Sequence, residues 1–140
     1  MASFHNKLEL SVGDYDVCIS PEIGRGSFGN VYKAKHRKTK ETCAVKKIEL
    51  TSDPSKSKRL LKIAKTEETI LKKLEHENIV QYFGVYPHIS SWWIFLQYCN
   101  EGNLKDYLKK VKNMSQLEKI EAELQCARAV EYIHKKQGDP

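Results

Sequence analysis

The sequence predicts an α+β fold, in which a five-stranded antiparallel sheet with one main helix is followed by helices that begin an incomplete helical part. Three observations predict it. Strand-like runs separated by turn residues occupy residues 15–48. A segment with apolar residues at helical spacing follows them, and two further strand-like runs come next. A second long helical pattern begins at Ser115.

The first three strands are expected at Tyr15–Ile23, Asn30–Lys35 and Thr42–Ile48, because a glycine-rich turn and a basic turn separate them. Together they form an antiparallel meander. Residues 1–14 carry little pattern, so they are expected to be a tail that leads into the first strand.

The remaining elements follow from periodicity. A helix is expected at Lys56–Leu74, and the apolar runs Ile79–Tyr86 and Ser91–Tyr98 are expected to form a hairpin. A short helix is expected near Leu104–Lys110. A longer helix follows, which starts at a capping box formed by Ser115 and Glu118 and ends near Gly138.

Glu67 points into the middle of the apolar stripe of the Lys56–Leu74 helix. A carboxylate in that position is costly unless it is paired. The sequence therefore predicts a buried or half-buried cation close to Glu67.

The run from Gly24 to Gly29 fits the pattern GxGxxG, which suits a loop that folds over phosphates because backbone N–H groups can approach without side-chain obstruction. The pattern alone also occurs in dinucleotide-binding folds, where a helix opens at the third glycine. Here Asn30–Lys35 continues as a β-rich run instead.

The strand segment Cys43-Ala44-Val45-Lys46 places Ala44 and Lys46 on one face. The small Ala44 leaves room for a flat base, while Lys46 reaches phosphate oxygens and is the natural cation for Glu67. Lys47 points to the opposite face and is expected to be solvated.

Composition limits the other classes of function. No apolar run approaches the roughly 18 residues of a membrane span, and the N-terminus lacks an apolar leader segment, so a cytoplasmic or nuclear protein is expected. The four cysteines form no CxxC pair, which argues against a zinc site. The net charge is +6, yet the basic runs at 36–40 and 53–65 are better explained as solvated surface than as a nucleic-acid site; the second could also meet phosphate or an acidic partner.

Taken together, these motifs resemble the eukaryotic-type protein kinase domain over about residues 15–140. Glu67-x-x-Ile70-Leu71 is similar to the family's central helix, residues 74–80 to the segment that enters strand four, and residues 94–104 to strand five with the interlobe hinge. The resemblance implies a tail at 1–14, an ATP-binding small lobe at 15–96, a hinge at 97–103 and the start of the large lobe at 104–140.

The resemblance also implies roles for individual residues. Lys46 and Glu67 would be the catalytic pair. Leu96 would be the gatekeeper behind the adenine, the backbones of Gln97 and Cys99 would bind its edge, and Asn103 would contact the ribose. The full set expected to contact ATP is Ile23, Gly24, Arg25, Gly26, Ser27, Phe28, Gly29, Val31, Ala44, Lys46, Leu96, Gln97, Cys99 and Asn103.

In the family, the catalytic loop with its Asp and the magnesium ligands follow shortly after this segment. The chain stops at Gly138-Asp139-Pro140. We therefore expect ATP and Mg²⁺ as cofactors of a serine/threonine protein kinase, no metal ligand in this chain, and no activity of the 140 residues alone. A truncated kinase-like module that binds nucleotide or a partner protein is the alternative. The helix from Ser115 is expected to expose its apolar stripe.

Overall fold

The computed structural model describes residues 8–26, 29–88 and 90–138. Within them the chain forms seven strands and three helices. In chain order these are β1 (Glu9–Val12), β2 (Tyr15–Cys18), β3 (Gly24–Gly26), β4 (Gly29–His36), β5 (Thr42–Glu49), α1 (Pro54–Leu71), β6 (Tyr82–His88), β7 (Ser91–Gln97), α2 (Leu104–Lys110) and α3 (Gln116–Gln137).

All the strands belong to one sheet with the order β1-β2-β4-β5-β7-β6, and β3 pairs with β4 beside this path. Each pairing is antiparallel. The α+β fold class and the antiparallel sheet are therefore confirmed, whereas the described residues contain seven strands instead of the expected five.

The two extra strands come from the N-terminal region. Part of the predicted tail forms β1, which pairs with β2 through a turn where Gly13 has a φ of 54°. The guanidinium of Arg37 donates to the carbonyl oxygens of Gly13 and Tyr15 and fixes this turn. The strand expected at Tyr15–Ile23 ends already at Cys18, shortly before Pro21, which has no amide hydrogen to donate to a ladder. The strand β3 lies in the segment that was predicted as a glycine-rich turn.

One face of the sheet holds the larger core cluster, in which Val17, Val45, Trp93 and Phe95 are fully or almost fully buried. Lys47 lies over the Trp93 ring with its Nζ 5.3 Å from the centroid. Its side chain is 24% exposed and is paired with Glu49, so the expectation of a solvated Lys47 was wrong.

Helix α1 packs on the opposite face of the sheet. Asp53 caps it by accepting from the Ser55 amide at 2.9 Å, and Pro54 occupies its first turn. The buried Ala64 contacts Ile48 and Ile94. The helix ends at Leu71, three residues before its predicted end, and a turn follows.

The chain separates into two compact units. The first contains the described chain up to Lys73 together with Tyr82–Tyr98, and the second contains Leu74–Gln81 together with the described chain from Cys99 onward. The lobe and hinge boundaries implied by the resemblance stay a prediction. Among the described residues, no helix is both long enough and apolar enough to cross a membrane.

Within the second unit, α3 begins at the predicted capping box, in which the Glu118 amide donates to Ser115 Oγ at 3.2 Å. The Tyr132 hydroxyl accepts from the Glu75 amide at 2.9 Å. The apolar stripe of α3 is exposed as expected: Leu117 is 76% exposed, and Ile120, Leu124 and Val130 are exposed as well.

Candidate functional site

The candidate site is built around Lys46 on β5 and Glu67 on α1. The Lys46 Nζ donates to Glu67 Oε1 at 3.0 Å and to Oε2 at 2.8 Å. The two side chains are only 19% and 28% exposed. The structure therefore confirms the half-buried cation that the position of Glu67 predicts.

Strand pairing sets the residues around Lys46. In the register of the sheet, Lys46 lies opposite Val31 on β4 and Ile94 on β7. Ala44, two residues before it, lies opposite Leu96. Because alternate residues of a strand share a face, these five side chains lie on the face of the sheet that α1 covers.

The glycine-rich motif forms the hairpin of β3 and β4. Gly24 pairs with Val31 and Gly26 with Gly29, while the Ile23 amide donates to the Val31 carbonyl at 2.8 Å. The prediction that a β-strand, and not a helix, follows the third glycine is thus confirmed. The sites expected at Ser27 and Phe28 lie outside the described residues.

The three glycines of the motif differ in what their surroundings require. A Cβ atom on Gly29 would lie 2.0 Å from the Lys47 carbonyl oxygen, so the close approach of β4 and β5 excludes a side chain there. A Cβ on Gly24 or Gly26 would make ordinary contacts at 3.6 and 3.5 Å. Packing within the chain therefore explains one glycine and leaves the other two without a structural requirement.

Four predicted site residues are not members of this group on the sheet. The Arg25 side chain is exposed and binds Glu22 Oε1 at 2.8 Å. Gln97 is exposed at the end of β7, and Cys99 and Asn103 belong to the second unit. The Asn103 side chain caps α2 by accepting from the Asp106 amide at 2.8 Å.

Two contacts next to the site were missed by sequence analysis. Lys33 lies opposite Ala44 in the sheet, and its Nζ is 4.9 Å from the centroid of the Tyr98 ring, directly before the predicted hinge residue Cys99. On α1, Glu68 accepts a 3.4 Å hydrogen bond from the Tyr82 hydroxyl. The alternation of β4 indicates the face of Lys33, but its aromatic partner is 65 positions away and no local pattern links the two.

Burial raises the pKa of two groups close to the site. The pKa of Tyr82 is raised, chiefly by its removal from water and then by the Glu68 carboxylate. Burial raises the pKa of the Cys43 thiol to about 11. In residues 8–26, 29–88 and 90–138 no three His, Cys, Asp or Glu side chains come together as a metal site.

Comparison with known proteins places this geometry in a family. The model of the protein kinase domain family matches residues 18–138, which is most of the chain. Mitogen-activated protein kinase kinase kinase 5 of Arabidopsis thaliana is 40% identical over 87 residues, covering 62% of this chain and 12% of that protein. Serine/threonine-protein kinase SSK22 of Saccharomyces cerevisiae is 42% identical over 86 residues, covering 61% of this chain and 6% of that protein.

Mitogen-activated protein kinase kinase kinase kinase 3 of Homo sapiens is 32% identical over 114 residues, covering 81% of this chain and 12% of that protein. The chain therefore spans 6% to 12% of the length of these relatives. A crystal structure of Rad53 residues 1–466 in complex with AMP-PNP matches with a TM-score of 0.72 and 29% identity, over 89% of this chain and 31% of that one. Sequence and fold agree, and the chain belongs to the protein kinase domain family.

Proposed function

We propose that this chain binds ATP and forms the nucleotide-binding part of a serine/threonine protein kinase, which transfers the γ-phosphoryl group of ATP to hydroxyl groups of proteins. The observation that carries the proposal is the ion pair of Lys46 with Glu67. Its bidentate contacts at 2.8 and 3.0 Å hold an ammonium group on the face of the sheet that also bears Ala44 and Leu96.

An ammonium group has three donors, and Glu67 accepts two of them. The third is left for a phosphate oxygen of ATP. The carboxylate fixes the position of Lys46, so less side-chain freedom is lost when the anion binds. The half-buried setting strengthens the attraction between ammonium and phosphate, because the local dielectric constant is lower than in water.

The base of ATP is proposed to lie on the apolar side chains beside Lys46. Ile23, Val31 and Ala44 would cover it, Leu96 would end the pocket, and the backbones of Gln97 and Cys99 would bind its edge. The glycine motif fits the phosphates, since packing gives no reason for glycine at positions 24 and 26. The roles of Arg25, Ser27, Phe28 and Asn103 belong to the same proposal.

The chain's own residues bind and orient ATP, and the rest of the kinase domain is proposed to complete the reaction. Phosphoryl transfer depends on positioning and on Mg²⁺, which neutralises charge on the phosphates when it is bound. The catalytic Asp and the magnesium ligands are proposed to lie in the part of the kinase that follows this segment. We propose a hinge at 97–103 between the lobes, and a cytoplasmic location where ATP and protein substrates meet.

The test is nucleotide binding by Lys46→Ala, measured with a fluorescent ATP analogue. We expect its affinity to fall by about tenfold or more, because a charge-assisted hydrogen bond to phosphate is lost. Lys47→Ala is the matched control, since Lys47 is the neighbouring lysine on the opposite face and contacts Trp93 and Glu49. Equal affinity of wild type and Lys46→Ala would sink the assignment.

A further inference from the structure

A row of lysines covers the face of α1 that is turned away from the sheet. At 100° per residue, Lys58, Lys62 and Lys65 fall within an arc of about 60°. The buried Ala64 lies on the other side of the helix and contacts Ile48. The three lysines are exposed and form a continuous positive stripe.

No ion pair within the described part of the chain neutralises the positive stripe. None of the ion pairs formed by the described residues includes Lys58, Lys62 or Lys65. The first turn of α1 also contains no acidic residue. The positive charge of the stripe is therefore available to a ligand.

Local stability does not explain the arrangement. Lys58 and Lys62 are four residues apart and Lys62 and Lys65 three apart, so like charges repel along the helix in both pairs. Positive charge near the beginning of a helix also opposes the helix dipole. Features that break local rules without a compensating gain inside the fold are often functional.

The stripe adjoins apolar side chains on the same outward side of α1. We call this surface the lysine face, and it includes Lys58, Leu61, Lys62, Lys65, Thr69 and Ile70. Ile70 is 53% exposed. From Pro54 to Ile70 the lysine face extends about 24 Å along the helix, at 1.5 Å per residue. It contains neither an acidic nor an aromatic residue.

We propose that the lysine face is a docking surface for an acidic segment of a partner protein, whose carboxylates pair with Lys58, Lys62 and Lys65 and whose apolar side chains contact Leu61 and Ile70. The positive charge favours an acidic ligand, and the apolar side chains beside it favour a peptide. A single-stranded nucleic acid would need aromatic platforms for its bases, and the lysine face has none. This site is separate from the proposed ATP site.

The test uses the whole 140-residue chain and a fluorescein-labelled peptide of about sixteen residues, which matches the lysine face in helical length. The peptide carries glutamate and leucine at helical spacing. We expect binding, seen as a rise in anisotropy, and a fall in affinity with increasing salt. The triple variant Lys58→Gln/Lys62→Gln/Lys65→Gln should bind about tenfold more weakly or worse.

The matched control is Lys38→Gln/Lys112→Gln/Lys119→Gln, which removes the same charge from exposed lysines elsewhere. Its affinity should equal that of the wild type, and far-ultraviolet circular dichroism should show that both triple variants keep their helices. Ile70→Ser should also weaken binding. Equal loss in the two triple variants, or tighter binding of a single-stranded oligonucleotide than of the peptide, would overturn the proposal.

Discussion

Lys46 and Glu67 join β5 to α1 through two hydrogen bonds across 21 positions of sequence. Neither side chain is neutralised by any other described residue. Loss of either partner leaves the other half-buried and unpaired, which costs more than the pair itself gains in stability. The pair therefore controls both the charge of the proposed ATP site and the attachment of the helix.

Glu67→Ala should partly reproduce Lys46→Ala. The freed Lys46 keeps its charge but loses its fixed position, so we expect the affinity for a fluorescent ATP analogue to fall by about threefold to tenfold. The neighbouring Glu68→Ala is the control, since Glu68 only accepts a 3.4 Å hydrogen bond from Tyr82. A Glu67→Ala protein that binds as tightly as wild type would show that the pair does not position Lys46 for phosphate.

Gly29→Ala should destabilise the fold. The new Cβ would meet the Lys47 carbonyl oxygen at 2.0 Å, and backbone atoms of two paired strands would have to move apart. We expect the free energy of unfolding, measured by urea titration, to fall by about 1–3 kcal/mol, as in other overpacked sites. Unchanged stability would mean that β4 and β5 are not as close as described.

Gly26→Ala is the contrasting variant. Among the described residues, its Cβ would have the Gly29 carbonyl oxygen nearby, at an ordinary 3.5 Å, so the free energy of unfolding should change by less than about 1 kcal/mol. Affinity for the ATP analogue should nevertheless fall, because the methyl group would lie where phosphates approach the backbone. If Gly26→Ala binds normally, the glycine at this position has no role in nucleotide binding.

The free energy of unfolding should fall at alkaline pH because of the buried thiol of Cys43. Burial raises its pKa from 9.0 to about 11 in the folded chain, so the unfolded chain loses this proton first. The stability that the protonated Cys43 thiol contributes is therefore fully present below about pH 9 and is lost as the pH rises towards about 11. In urea titrations over this range, Cys43→Ala should lose stability less steeply than wild type. Cys126→Ala, which removes an exposed thiol, should keep the wild-type slope.

Much of the fold could be predicted because its signals are local. The capping box that begins α3 follows from a short pattern, and the central position of Glu67 on α1 predicts its cation. The start of α1 at Pro54 was placed two residues too late, at Lys56. The start of β6 was predicted at Ile79, three residues before its observed start at Tyr82. Ile79 is apolar but lies in a turn, where its amide donates to the His76 carbonyl oxygen. Apolar character alone does not distinguish a turn from a strand end.

The parts of the site that sequence analysis missed depend on distant partners. The contact of Lys33 with Tyr98 joins a strand to the end of another strand far along the chain, and only the sheet register brings them together. The exposed pair of Arg25 with Glu22 has a local spacing but little energetic weight, because surface ion pairs are worth about 0–1 kcal/mol. Its presence could not be predicted from the spacing.

The short strand β1 has a consequence for where this domain is taken to begin. The family match starts at residue 18, yet the Tyr15 ring before it stacks on Phe95 with centroids 4.0 Å apart. Val12, also before the match, is completely buried. A chain trimmed to the edge of family similarity would thus lose part of its own interior and expose Phe95 to water. The physical edge of this domain lies at least as far back as Glu9, in a segment that similarity alone would discard.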